Sequence, residues 1–307
     1  MMPAGAGKRL EAPSRLALPG IIGRLKTNGR GMTNIPAVER VKIALTTPCG
    51  EVTVPVDVPT GFVPITAILS SLRTVGEQAM AMEEQRAGIA GERVSCQRGC
   101  AACCRMLVPV SAPEAFALHD VIAGLPQERR AAVMRKLDEA RRRLLDAGLL
   151  DSLTTVAENS RQLTDEEMEP VNRAYYGLRM PCPFLEEEVC SIYEDRPAAC
   201  RELLVTSPAE LCSDLVHNPV RPLPVPLRIS TVLGLLWSEL AGGPIRFIPL
   251  PLAWDWAQRH HSDRNPTWRG AQLFERAMEM IWRFLVQEFH HRGVPLPQAK
   301  EKVKSTK

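Results

Sequence analysis

Cys96-Gln97-Arg98-Gly99-Cys100-Ala101-Ala102-Cys103-Cys104 carries four thiols in one short run, and a second set follows at Cys182, Cys190, Cys200 and Cys212. Only Cys49 stands apart from these two groups. Metal coordination is the simplest reason for such crowding, because thiolates are soft ligands for zinc and iron and closely spaced pairs can grip one ion. The second group is rich in proline and shows no periodicity. Both point to an irregular metal-binding centre packed among helices.

The spacing of the first group admits two local structures. On a helix, Cys96, Cys100 and Cys103 would fall within about 60° of one another, with Cys104 at the edge of the stripe. In an extended loop, Gly99 would instead allow a tight turn. Cys103 and Cys104 cannot easily aim at one ion, since neighbouring side chains diverge by ~100° on a helix and ~180° on a strand. The pair implies two metal positions side by side, or one ligand and one support. A tetrahedral site takes four thiolates, so eight cysteines match two sites, each free to draw on both groups if the segment 105–181 folds back. Gathered in this way, the ligands would let the metal close a long loop. Cys212, the most isolated of the eight, best fits the alternative of a small buried apolar residue.

Composition narrows the class. Of 307 residues, 45% are hydrophobic and 24% charged, ordinary values for a globular chain of one or two domains. A net charge of +3 is too small to argue for nucleic acid. The basic stretch 129–143 is interleaved with Leu137, Asp138 and Glu139, as the solvated face of a helix would be. The most apolar stretch, 229–237, falls far short of the ~20 residues that span a bilayer. The early residues Lys8, Arg9, Arg15, Arg24 and Lys26 precede no long apolar core, so a cytoplasmic chain with reduced thiols is expected.

Periodicity predicts a mainly α fold with a small N-terminal β-hairpin (α+β). Residues 1–32 read as a disordered leader, with Met32 an alternative start. Val41, Ile43 and Leu45 alternate with polar or small residues, as do Val52, Val54, Val56 and Val58, around the turn Thr47-Pro48-Cys49-Gly50. Cys49 is a turn residue there. Helices are expected over 64–86, 127–147, 227–240, 251–260 and 267–292. Two more should begin at the capping boxes Ser111–Glu114 and Thr164–Glu167. The expected units are the leader 1–32, a hairpin plus helix 33–92, the cysteine-cluster domain 93–215 and a C-terminal helical region 216–307.

The joint pattern Cys96-x3-Cys100-x2-Cys103-Cys104, then Cys182-Pro183-Phe184-Leu185, Cys190-x-Ile192-Tyr193, Arg196-Pro197 and Cys200-Arg201, resembles the YkgJ-type cysteine-cluster proteins. That family is described as a zinc- or iron-chelating domain and is named for C-x-x-C-x-x-C-C; here one extra residue separates the first two cysteines. The resemblance covers about 95–212. It implies metal binding and little more, with the biological role undefined; for this chain the expectation is zinc or iron, an iron–sulfur cluster being one form the iron centre could take. Flagellin lysine N-methylases look like distant members, which makes a metal-dependent enzyme the alternative. A structural zinc module presenting its C-terminal helices to a protein partner is another. The catalytic residues are unknown, and neither a phosphate-cradling loop nor a GxSxG elbow is present.

Arg196 and Arg201 would offset thiolate charge at such a site, or else pair with Glu194, Asp195 or Glu202. Phe184 and Tyr193 would wall it off, and Glu114 is a helix-cap partner before it is a catalytic acid. Four histidines, His260, His261, His290 and His291, sit near predicted helix ends, where the dipole favours them. His217, close after Cys212, is the best substitute ligand. His119 lies within a predicted helix.

Overall fold

The computed structural model describes residues 37–97, 99–158 and 164–297, together with the backbone of Gly23 and Arg24. Strand β1 (Gly23–Arg24) pairs with β2 (Val38–Thr47) opposite Val41 and Lys42. The rest of the expected leader lies outside the described residues. β2 turns through Pro48 and Cys49 into β3 (Gly50–Pro59), with Val41 opposite Val56 and Ile43 opposite Val54. The alternation works as read: Val41, Ile43, Leu45, Val54, Val56 and Val58 are buried on one face. At the tip, Thr47 Oγ1 accepts the Cys49 N–H at 3.1 Å.

After β4 (Phe62–Val63) and a short 3₁₀ turn, α1 (Leu69–Ile89) lays Leu72, Val75 and Ala79 into the core beneath β3. The first cysteine loop leads into β5 (Pro109–Ser111) and α2 (Ala112–Gly124), followed by α3 (Gln127–Asp146), α4 (Leu150–Glu158) and α5 (Asp165–Gly177). Both capping boxes form as predicted. The second cysteine group contains the short hairpin β6 (Leu185–Glu186) and β7 (Val189–Cys190). The chain closes with α6 (Ile229–Ala241), β8 (Phe247–Pro249), α7 (Ala253–Arg259), β9 (Trp268–Arg269) and α8 (Gly270–His291).

Helix α4 and the pairings β4–β9, β5–β8 and β6–β7 extend the sequence reading. Strands of two or three residues carry too little period to be recognised in advance. Phe116 on α2 is fully buried, 5.6 Å from the ring of Trp237 and 5.4 Å from that of Trp256. The same buried cluster takes side chains from β2, β3, α1, α2, α6 and α8, so the hairpin and the C-terminal helices share one core. Gly270 admits the close seating of α8 on β3: a Cβ there would lie 2.2 Å from the Pro59 carbonyl oxygen. Among the described residues no helix is long and apolar enough to cross a membrane.

Candidate metal centre

The first cysteine group is a loop, the second of the two conformations its spacing allows. Gly99 takes φ +88°, a left-handed value, and Cys100 donates its N–H to the Gln97 carbonyl at 3.0 Å. A 3₁₀ turn at Ala102–Arg105 then carries Cys103 and Cys104. The start of the loop is already tied to the second group's segment. Ser95 donates its N–H to the Val205 carbonyl at 3.0 Å and its hydroxyl to the Ser207 carbonyl at 2.6 Å.

The two groups meet at the backbone. Cys182 donates its N–H to the Cys104 carbonyl at 2.8 Å. One residue further, the Arg105 guanidinium forks onto the Glu188 carboxylate at 3.1 and 2.7 Å. Glu188 sits in the β6–β7 turn, where Glu187 and Glu188 have φ of +48° and +60°, and this turn presents Cys190 opposite Leu185. Cys200 ends a 3₁₀ turn at Ala198–Cys200, and the Ala198 N–H donates to Glu114 Oε1 at 2.7 Å. Cys212 lies in another turn, Ala209–Ser213, and is buried. The remaining seven cysteines of the two groups are half-buried residues.

Mutual electrostatics sort the thiols. Cys212 feels Cys96, Cys100 and Cys103, while Cys96 feels Cys100 and Cys103. Cys200 feels Cys182, Cys103 and Cys190, and Cys182 feels Cys190 and Cys103. Cys103 therefore faces both sets. Its hydrogen bond with Cys104, then burial, pushes its thiol up. Burial first, and neighbouring thiols second, push Cys182 up to about 12 and Cys200 well above the ordinary thiol value. Opposing cations are at hand: Lys136 acts on Cys182, Arg196 on Cys103 and Cys190, and Arg201 on Cys190.

The donor chemistry fits zinc or iron, since all nine cysteines are free thiols and eight of them belong to the two groups joined by the Cys182–Cys104 backbone bond. Among the described residues, however, no three His, Cys, Asp or Glu side chains are arranged to hold one ion. Cys49 lies elsewhere, beside Glu83 and Arg292. His217 is largely exposed and bonds Asp214 through Nδ1 at 3.0 Å. His260 stacks on Trp256 and bridges Glu158 and Asp263.

The arginines divide the work. Arg196 stacks over the Tyr193 ring at 4.1 Å. Arg201 bonds the carbonyls of Arg196 and Glu194 and pairs with Glu77 on α1, rather than with the Glu194, Asp195 or Glu202 carboxylates. Glu202 accepts from Ser230, through its N–H at 3.2 Å and its hydroxyl at 3.1 Å. Sequence reading missed Arg73, also on α1, whose Nε and Nη2 are shut off from solvent without a partner. An arginine within a helical period reads as solvated surface, so nothing local marks it.

Residues 95–213 match the model of the CxxCxxCC family, described as "Putative zinc- or iron-chelating domain". No curated protein and no solved structure matches the chain.

Proposed function

We propose, taking the match of residues 95–213 to a zinc- or iron-chelating family as premise, that the protein binds zinc or iron through Cys96, Cys100, Cys103, Cys104, Cys182, Cys190, Cys200 and Cys212. The observation that carries this reading is the Cys182–Cys104 backbone bond at 2.8 Å, which seats the two groups against each other. Four thiolates per ion make about two sites. Cys96, Cys100 and Cys212 would serve one ion and Cys182, Cys190 and Cys200 the other, with Cys103 and Cys104 completing them, one for each. On this proposal, a bound ion would supply the charge that keeps the thiols ionised and would draw them into a shared shell. With iron, the same donor set suits an iron–sulfur cluster.

On this reading, 93–215 is the chelating unit, while 33–92 and 216–307 are its scaffold. The core shared by the hairpin and the C-terminal helices supports that role. Free thiols at all nine positions go with a reducing compartment, the cytoplasm.

The test is elemental analysis and absorption spectroscopy of anaerobically purified protein. Zinc or iron at about one or two ions per chain is expected, colourless for zinc and brown for an iron–sulfur cluster. A chain with verified reduced thiols that neither holds nor takes up either metal would overturn the reading.

A further inference from the structure

Arg73 belongs to α1, outside the segment that matches the chelating family. Its guanidinium lies among the charges of Glu114, Asp195, Glu77 and Arg201; of these, Glu114 bonds the turn that carries Cys200 and Arg201 caps it. Nε and Nη2 are closed to solvent and donate to nothing. Burial lowers its pKa, and Glu114 is the charge that most opposes this. Buried polar groups in folded proteins almost always end in a hydrogen bond, and a guanidinium above all in a fork onto an anion.

Arg201, close by, shows the ordinary solution. Its donors are consumed by Glu77 and by the carbonyls of Tyr193, Glu194 and Arg196, and they hold the loop in shape. Arg73 keeps Nε and Nη2 uncommitted. A metal centre requires such a reserve, because thiols lose protons when they take up an ion and four thiolates around a divalent cation carry a formal net charge of about −2. Glu114 is a neighbour of Cys200 as well as of Arg73, and so links the two.

We propose that Arg73 is a positioning residue of the metal centre: its guanidinium supplies counter-charge beside Glu114 and so steadies the carboxylate that holds the Ala198 N–H of the turn bearing Cys200. This rests on the chelating reading above, and extends the centre to a helix that the family match does not include.

The test uses the full chain with zinc alone as probe, measured by competition with a chromophoric chelator, and melting of metal-free and zinc-loaded protein. Arg73→Met should weaken zinc binding by roughly 10–100-fold, the usual effect of losing an outer-shell partner. Zinc release on acidification should move to higher pH, and the loaded protein should lose more melting temperature than the metal-free protein. Arg73→Lys, which keeps the charge, should recover most of the affinity. Should Arg73→Met not fold, Arg73→Gln carries the same comparison. Unchanged zinc affinity and release pH, or equal melting losses in both states, would overturn the role of Arg73 alone. A parent chain that takes up neither zinc nor iron would overturn the chelating reading itself.

Discussion

Glu114 Oε1 accepts the Ala198 backbone N–H at 2.7 Å, while its Oε2 accepts the Ser111 N–H at 3.0 Å and the Ser111 hydroxyl at 2.8 Å. One fully buried carboxylate thus closes the N-terminal cap of α2 and, through Ala198, 84 residues away in sequence, fixes the turn that bears Cys200. A buried carboxylate is tolerated because three donors replace its water shell. Glu114→Ala leaves those donors without an acceptor and should cost about 3 kcal/mol of stability by denaturant unfolding. Metal content should fall with it. A loss below about 0.5 kcal/mol would mean that water replaces the carboxylate fully.

Glu187 has φ +48° in the β6–β7 turn, where an L side chain is strained and glycine is not. Glu187→Gly should stabilise the protein by about 1 kcal/mol in chemical denaturation, because the strain relieved outweighs the added freedom of the unfolded chain. Glu188→Gly makes the contrast. It relieves the same kind of strain but deletes the fork to Arg105, so it should gain less than Glu187→Gly.

At the other end of α1, Glu83 is fully buried and bonds Arg86 and Arg292, tying the helix to the C-terminal end of α8. Burial alone would raise its carboxyl, but hydrogen bonds with Cys49, Arg86 and Arg292 hold it below the ordinary value of 4.5. The stability it contributes is fully present above the unfolded value and is lost as pH falls through the lower folded value. Melting temperature of the parent should therefore drop below pH 4.5 more steeply than that of Glu83→Gln. At neutral pH, Arg292→Met strips one partner from a buried charge and should cost about 3 kcal/mol.

Cys100→Ser and Cys103→Ser should each lower metal content, because each removes one thiolate from a four-ligand site, while Cys49→Ser, which lies beside Glu83 and Arg292, should leave it unchanged. A serine hydroxyl stays protonated near neutral pH and binds zinc or iron poorly. Metal analysis of the three purified variants decides this, and equal content in Cys103→Ser and the parent would remove Cys103 from the ligand set. A strong chelator should also lower the melting temperature of the parent, because an ion shared by the two cysteine groups, as proposed, would tie them together.

The sequence by itself determined what neighbouring residues can encode. Val41, Ile43 and Leu45 announce a strand because side chains alternate every second residue, and Ser111 with Glu114 announces a helix start because a cap spans one turn. The crowded cysteines announce the centre for the same reason: their spacing is local. Tertiary structure alone decided that Gly99 makes a loop rather than a helix of the first group, since both were sterically open. It also decided that Arg201 pairs with Glu77, 124 residues away, that Glu114 reaches Ala198, and that Nε and Nη2 of Arg73 are closed to solvent. Those outcomes depend on which surfaces the shared core presses together, and the energy of a buried charge is set by its surroundings in space, which no run of adjacent residues contains.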